Sequence, residues 1–448
     1  MKTSYERTRQ IIKDIAPKSF CAAKWYNVSV WLGNGRTASC HHPLAHPVPK
    51  EELAVDASAL HNTKFKKEQR RKMLAGERPA ECGYCWKVED AAQSEEINSD
   101  RIYQTARYTE EEIRALKDIP WDKNVNPKTV EICFDNLCNL ACSYCNAEFS
   151  STWSKDISTN GEYKNMETDG GKTYRQDGSI AMPFGNKNEG NIYVKRFFDW
   201  FPEIKDGITE LRVSGGEPSR SPSFWKLIDM SENEKFAFAV NSNLIMEDSR
   251  LERLINAGKK FEKLDIYTSA ECMYKNQEFV RDGFEWDVWE KNIMKATASP
   301  YVNGMYIMMT ISVLSIWTVA EFVETIVKWK KKFDNKHAFF MSVNILRFPS
   351  FQSVNMLPIE IKEELASRIE KVMQDNTEWI NDLETNQLKR LLIYLRKVDT
   401  SYEDKDNFDK KRNDFINFID QYAERRNKPL QEYMPLEFNN WYTKLKNE

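Results

Sequence analysis

The stretch that most constrains this chain of 448 residues is TVEICFDNLCNLACSYCN, residues 129–146. Its apolar first part, residues 130–134, predicts a β-strand, and the loop after it carries Cys138, Cys142 and Cys145 in the spacing C-x3-C-x2-C. Because cysteine thiolates ligate iron–sulfur clusters, three of them in one loop can hold three irons of a four-iron cluster. The fourth iron then keeps an open position, as the metal of a catalytic zinc site does.

The distribution of the nine cysteines points to metal binding rather than to disulfides. The N-terminus lacks the apolar run of a secretion signal, and disulfides are uncommon in reducing compartments. We expect Cys133 to be a core residue, since free cysteine packs as a small hydrophobe, whereas Cys272 could lie on the substrate side. The other seven fall into two groups, the loop above and an N-terminal set of Cys21, Cys40, Cys82 and Cys85.

Charge and hydropathy exclude several classes of protein. The chain has 65 basic and 68 acidic residues, whereas nucleic-acid-binding domains usually carry a basic excess, so we do not expect a nucleic-acid partner. The basic run KFKKEQRRK, residues 64–72, is interpreted as a solvated helix face. No apolar run approaches the roughly 20 residues that span a membrane. We expect a cytoplasmic protein.

From residue 129 onward, predicted strands and helices alternate, which predicts an α/β fold with a parallel sheet. In α/β folds with parallel strands, catalytic and ligand-binding residues lie at the C-terminal ends of the strands. The predicted strands are 130–134, 210–214, 236–241, 263–269, 305–313 and 339–346. The predicted helices are 194–201, 222–230, 248–257, 286–296 and 318–332.

Polar and glycine-rich motifs stand at several of these strand ends. The second strand runs into LRVSGGEP, where Gly215 and Gly216 leave room for close backbone approach and Glu217 offers an acceptor for an ammonium group. The fourth strand ends at Ser269, and Arg281 follows twelve residues later. A guanidinium matches the geometry of a carboxylate, so Arg281 could bind one.

The cysteine loop followed by GGEP one βα unit later resembles the radical SAM superfamily. The resemblance implies a partial (β/α)6 TIM-like barrel and a 4Fe-4S cluster, held by Cys138, Cys142 and Cys145, that binds S-adenosyl-L-methionine (SAM). It also implies reductive cleavage of SAM to a 5′-deoxyadenosyl radical, which abstracts a hydrogen atom from a substrate. The implied SAM contacts are Tyr144, Gly215, Gly216, Glu217, Pro218, Asn241, Ser269, Arg281 and Leu346.

The N-terminal segment predicts a small α+β module with a second metal site. A helix within residues 1–16, a strand at 28–32, a Gly33-Asn34-Gly35 hairpin turn and a helix at 57–75 separate its cysteines. By spacing alone, structural zinc and an iron–sulfur cluster are both open. The segment is similar to the twitch/SPASM modules of radical SAM enzymes, although those usually follow the barrel. The resemblance implies an auxiliary 4Fe-4S cluster on Cys21, Cys40, Cys82 and Cys85; His41 is an alternative ligand.

We therefore predict three regions: the auxiliary module with its linker (1–126), the barrel (127–358) and a helical C-terminal extension (359–448). The extension is predicted to contain helices at 359–374, 379–398 and 406–426. Residues 159–190 are rich in Gly, Asn and Asp and long for a loop, so they form either a lid or a disordered insertion.

The expected activity is that of a radical SAM oxidoreductase that modifies a peptide or protein, with flavodoxin or ferredoxin as reducing partner. Carbohydrates or other small molecules are the alternative substrates. The rival from another class is a zinc-stabilised binding protein without enzymatic activity, which explains the C-x2-C pairs but leaves GGEP unexplained.

Overall fold

The computed structural model describes residues 4–91, 98–169, 174, 190–397, 402 and 404–447. The strands are β1 (Asn27–Trp31), β2 (Arg36–Ala38), β3 (His46–Pro47), β4 (Thr129–Cys133), β5 (Ala141–Cys142), β6 (Glu210–Ser214), β7 (Glu234–Asn241), β8 (Phe261–Ser269), β9 (Arg281–Asp282), β10 (Gly304–Ile311) and β11 (Phe340–Ile345). The helices as far as β6 are α1 (Tyr5–Ile15), α2 (Ala23–Tyr26), α3 (Lys50–Val55), α4 (Lys64–Leu74), α5 (Gly83–Asp90), α6 (Asp100–Thr105), α7 (Glu110–Ala115), α8 (Ser151–Asn160) and α9 (Ile192–Ile204). Those after it are α10 (Pro222–Met230), α11 (Asp248–Ala257), α12 (Tyr274–Val280), α13 (Trp286–Thr297), α14 (Val319–Lys332), α15 (Ile359–Asp375), α16 (Asp382–Arg396), α17 (Lys405–Arg426), α18 (Leu430–Tyr433) and α19 (Leu436–Asn447).

The chain divides into two compact units. Unit one comprises Met1–Asp135, Gly185–Ser214 and Asp229–Phe238, and unit two comprises Asn136–Phe184, Gly215–Ile228 and Ala239–Glu448. These units cut the chain at other points than the three predicted regions, whose limits stay a prediction.

Unit one contains a sheet in which β1, β4 and β6 are parallel. Strand β1 pairs with β4 from Asn27↔Thr129 to Trp31↔Cys133, and β4 pairs in turn with β6. Strand β2 returns antiparallel to β1, which confirms the predicted hairpin; Gly35 in its turn has φ +65°, a conformation that favours glycine. The N-terminal hairpin therefore continues the sheet that begins at the predicted first barrel strand.

The helices of unit one enclose an apolar core that includes Ile11, Phe20, Trp25 and Trp86. The single helix predicted for residues 57–75 is wrong. A short 3-10 turn, Ala57–Leu60, ends before α4, because the Thr63 side chain accepts a hydrogen bond from Lys66 N and caps a new helix.

The interpretation of residues 64–72 as a solvated face is also wrong in part. Lys66 and Arg70 on α4 are buried, with 1% and 0% exposure. The two positions are four residues apart and therefore lie on one face of the helix, which is turned to the interior.

Unit two contains the parallel strands β8, β10 and β11, with β10 in the middle. Helices α10 and α11 have the limits predicted from the sequence. Away from these strands, β5 and β9 form a short antiparallel pair in which Cys142 faces Arg281. This pair joins the cysteine loop to the segment after β8.

The C-terminal helices of unit two pack on its sheet and on the cysteine loop. Helix α16 begins at Asp382 rather than at the predicted 379, because Asn381 and Glu384 form a capping box. Both carboxylate oxygens of buried Glu384 also accept hydrogen bonds from Lys330 Nζ at 2.8 Å. On α17, Tyr422 donates to the carbonyl of Ala141 at 2.7 Å.

The predicted mixed α/β class, with parallel strands and many helices, is confirmed. The partial barrel and the separate auxiliary module stay predictions. Of the predicted lid, residues 170–173 and 175–189 lie outside the described residues. No helix of the described chain is both long and apolar enough to cross a membrane.

Candidate functional site

The cysteine loop of unit two brings three sulfur atoms together. Cys142 lies on β5, Cys138 precedes it in the loop, and Cys145 follows in a turn closed by a 2.9 Å bond from its N–H to the Cys142 carbonyl. Two of the sulfurs face N–H groups: Leu140 N lies 3.4 Å from Cys138 Sγ, and Arg281 Nη1 lies 3.5 Å from Cys142 Sγ. Such donors stabilise sulfur that carries negative charge.

Cys142 is buried, and Cys138 and Cys145 are partly exposed. Burial, and then the neighbouring Cys142, raises the pKa of Cys138 to about 12, and burial also raises the pKa of Cys142. The thiols are therefore neutral at pH 7 until a metal displaces their protons, because thiolate is the form that ligates.

The loop is held in place by side chains that bind its carbonyl groups. Ser150 Oγ donates to the Leu140 carbonyl at 2.7 Å, and Trp153 Nε1 donates to the Cys142 carbonyl at 2.9 Å. Trp153 packs in turn against Tyr174, Phe418 and Tyr422. Helix α8 and helix α17 thus fix the backbone that presents the cysteines.

Arg281 belongs to a buried network beside Cys142. Its Nε and Nη2 donate to both oxygens of Glu271, the shortest distance being 2.6 Å. Tyr144 Oη donates to Glu271 Oε1 at 2.5 Å, and the Tyr144 ring lies 5.4 Å from the guanidinium carbon. Two predicted residues, Tyr144 and Arg281, are therefore neighbours.

Sequence reasoning missed Glu271, which is fully buried. Its only signal was an acidic residue two positions after Ser269 and ten before Arg281. Nothing in that spacing says that the two charges meet, since the loop and helix α12 between them decide it.

The GGEP motif is held against the cysteine loop. Gly215 has φ +134°, which favours glycine, and a Cβ on Gly216 would lie 2.4 Å from the Leu137 carbonyl oxygen. The absence of a Cβ at Gly216 therefore allows the backbone of the cysteine loop to pack closely against this residue. Pro218 begins a 3-10 turn and is buried.

Glu217 is 1% exposed, and its carboxylate joins its own turn to the segment that follows β7. Oε1 accepts from Ser242 Oγ at 2.9 Å and from Ser219 N at 3.1 Å, and Oε2 accepts from Asn243 N at 2.6 Å. A carboxylate has about four acceptor sites, so one remains for a further donor. Burial raises the pKa of Glu217, and these hydrogen bonds oppose the shift.

The remaining predicted SAM contacts lie at or just after strand ends of unit two. Asn241 ends β7, and its buried Oδ1 has no hydrogen-bond partner among the described residues. Burying an acceptor without a hydrogen bond is costly, so this atom is a candidate acceptor for a donor group of a bound ligand. Ser269 ends β8, and Leu346, 8% exposed, follows β11.

The four N-terminal cysteines meet at one place in unit one. Cys21, Cys40, Cys82 and Cys85 line the same cavity of about 30 Å³, together with Lys24, His42 and Arg101. Burial raises the pKa of Cys21 to about 12, and the nearby Cys82, Cys40 and Cys85 add to the shift. The four thiols lie close enough to shift the pKa of Cys21, as expected for the ligands of one metal centre.

The neighbouring polar residues do not all face this cavity. His42 lines it, pairs with Asp100 and stacks on Tyr84, whereas His41 is 67% exposed and lies 3.7 Å from Glu131. Glu89 binds Arg101 at 2.7 Å and so holds a residue that lines the cavity.

Within the described ranges, no group of three or more His, Cys, Asp or Glu side chains forms a site for a single metal ion. Ligands of a single zinc ion converge to within about 2.3 Å of one point. In a four-iron cluster each cysteine binds a different iron, so the sulfur atoms stand further apart. Donor sets made of cysteine alone are of the type that holds iron–sulfur clusters.

Comparisons with known proteins add little. No protein-family model matches the sequence, and no curated protein matches it. One solved structure with some likeness is described as "Native anSMEcpe with bound AdoMet and Cp18Cys peptide"; the match covers 70% of this chain and 98% of that chain, with 12% identity and a TM-score of 0.31. A likeness of this strength carries no argument about this chain.

Proposed function

We propose that this chain is a radical SAM enzyme and that Cys138, Cys142 and Cys145 hold its catalytic 4Fe-4S cluster. The observation that carries the proposal is the position of three cysteine thiols in one loop, with Cys142 buried and two of the sulfur atoms facing N–H donors. Cys138, Cys142 and Cys145 would hold the cluster, which would supply the electron for reductive cleavage of SAM and so for abstraction of a hydrogen atom from the substrate.

The polar groups around the loop support binding of the methionyl end of SAM. Glu217 keeps one acceptor site for an ammonium group. Arg281 uses three of its five N–H groups on Glu271 and Cys142, so two remain for a carboxylate. Asn241 Oδ1, buried and without a partner in the described chain, would accept a further donor of SAM. The role of the chain is to orient SAM and to exclude water.

We further propose that Cys21, Cys40, Cys82 and Cys85 hold an auxiliary 4Fe-4S cluster. Their shared cavity supports this assignment. With four cysteine ligands the cluster has no open iron, so electron relay suits it better than substrate binding. The substrate class, a peptide or protein, rests on the sequence resemblance alone.

Anaerobic purification followed by metal and activity assays tests the proposal. Two clusters predict about eight irons per chain, and one predicts about four. Cys142→Ala should abolish reductive cleavage of SAM to 5′-deoxyadenosine, whereas Cys82→Ala should keep it and lose about half of the iron. The buried Cys133, outside both groups, is the control: Cys133→Ala should keep iron and activity.

A colourless protein with stoichiometric zinc would end the radical SAM proposal and favour the zinc-stabilised alternative. Full SAM cleavage by Cys142→Ala would contradict the assignment of the catalytic cluster. Stimulation of 5′-deoxyadenosine formation by sugar nucleotides but by no peptide would replace the proposed substrate class.

A further inference from the structure

Three basic side chains lie in the interior of unit one. Lys24 on α2 is 3% exposed, and Lys66 and Arg70 on α4 are 1% and 0% exposed. Burying a cation is costly unless an opposite charge or good hydrogen bonds compensate for its lost hydration. Their partners therefore indicate what these charges are for.

Lys66 and Arg70 bind neutral groups. Lys66 Nζ donates to the Asn27 carbonyl at 2.9 Å and to His61 Nδ1 at 2.7 Å. Arg70 donates to the carbonyls of Lys24 and Lys123 and to Asn62 Oδ1. These bonds satisfy the donors without a carboxylate, and burial lowers the pKa of Lys66 well below its ordinary value.

Lys24, by contrast, lies beside the four cysteines. It lines the cavity of Cys21, Cys40, Cys82 and Cys85. Its ammonium pairs with Glu81, the residue before Cys82. Asp100 and Arg101, the other charged residues in the described cavity lining, are paired with His42 and Glu89. Lys24 acts on the thiols themselves, since its positive charge opposes the rise that burial causes in the pKa of Cys82.

We propose that Lys24 compensates the negative charge of the four-thiolate cluster and raises its reduction potential. The inference rests on the proposed auxiliary cluster. Four thiolates bring more negative charge than the oxidised core neutralises, and reduction adds one electron from the reductant. Because a buried cation attracts the more negative state more strongly, it favours the reduced cluster.

The test is a redox titration of the auxiliary cluster, followed by electron paramagnetic resonance. Full-length chain carrying Cys138→Ala, Cys142→Ala and Cys145→Ala is reconstituted anaerobically, so that only the cluster of unit one is observed, at about four irons per chain. In this background Lys24→Met should favour oxidation about tenfold, a decrease of about 59 mV in the midpoint potential. Lys24→Arg, which keeps the charge, should restore most of the shift.

Glu81→Gln provides a second variant with the opposite sign, because it removes the carboxylate that is paired with Lys24 and should raise the potential. A purely structural role would not move the two variants in opposite directions. Lys64→Met, on the exposed face of α4, changes the net charge equally and should leave the potential unchanged.

An unchanged potential in both Lys24→Met and Glu81→Gln, with iron at the level of the parent, would overturn the role of Lys24 and leave the cluster proposal standing. A decrease in both variants would overturn it as well. Absence of iron from the background protein would instead overturn the auxiliary cluster, and the role of Lys24 with it.

Discussion

Arg281 faces Cys142 across the β5–β9 pair and directs Nη1 to its sulfur at 3.5 Å. The backbone pairing and the side-chain contact both join a proposed cluster ligand to a residue 139 positions later. Glu271 fixes the guanidinium from the other side through Nε and Nη2. A shift of the segment after β8 would therefore also displace the cysteine loop.

Glu271→Gln should destabilise the protein strongly, because it leaves the buried Arg281 without its opposite charge. Breaking a buried pair from one side costs about 3–5 kcal/mol. Urea unfolding monitored by circular dichroism measures the loss. Asp248→Asn, which breaks an exposed pair with Lys291, is the control and should change little. An equally small loss for Glu271→Gln would contradict the importance of the buried pair.

Gly216→Ala should disturb the cysteine loop, since its Cβ would lie 2.4 Å from the Leu137 carbonyl oxygen. Overpacking of this kind costs about 1–3 kcal/mol. We expect a lower thermal midpoint and less iron bound at the loop. Gly207→Ala, where the added methyl group meets open space, should leave both unchanged. Normal iron content in Gly216→Ala would show that the loop tolerates the shift.

Asn241→Ala should weaken SAM binding without unfolding the protein. The lost hydrogen bond is worth about 1 kcal/mol, or roughly fivefold in Kd. Equilibrium dialysis of SAM against the anaerobically reconstituted protein measures this, with iron content as control for the cluster. An unchanged Kd would show that Asn241 Oδ1 does not meet SAM.

His46 should make unit one sensitive to acid. Burial, followed by the charges of Lys66 and Lys24, lowers the pKa of His46 to about 3. Between its ordinary pKa of 6.5 and about 3, the unfolded chain binds a proton that the folded chain does not. His46 therefore does not reduce the free energy of unfolding above pH 6.5. Below pH 6.5 it lowers this free energy by about 1.4 kcal/mol per pH unit until the pH reaches about 3.

Comparison of unfolding free energies at several pH values with those of His46→Gln isolates this contribution. The substitution should reduce the slope by about one proton and keep the bond to Thr63. Parallel curves for both proteins would mean that His46 is protonated in the folded chain.

Much of the secondary structure was predictable because local patterns determine it. Pro222 starts α10, and alternating apolar runs mark β6 and β8 at nearly the observed limits. The inward face of α4 was not predicted, because a lysine and an arginine four residues apart are usually solvated. Here backbone carbonyls and His61 take up their donors.

The candidate site was predictable as a list of residues but not as a set of contacts. The cysteine spacing and GGEP identify Cys142 and Glu217 from local sequence alone. The carboxylate of Glu217 binds Ser242 and Asn243, and Arg281 binds Glu271, through contacts that only the folded chain creates. Sequence spacing carries no information on such partners when loops and helices intervene.

The parallel pairing of β1 with β4 has a consequence for genetic dissection of the chain. A truncated protein that begins at residue 127 would lose the neighbour of β4 from Thr129 to Cys133. Its unpaired N–H and C=O groups would form a template on which other chains could add as strands. Such a fragment should aggregate, so the role of the N-terminal cysteines is better tested by point substitution than by deletion of the N-terminal region.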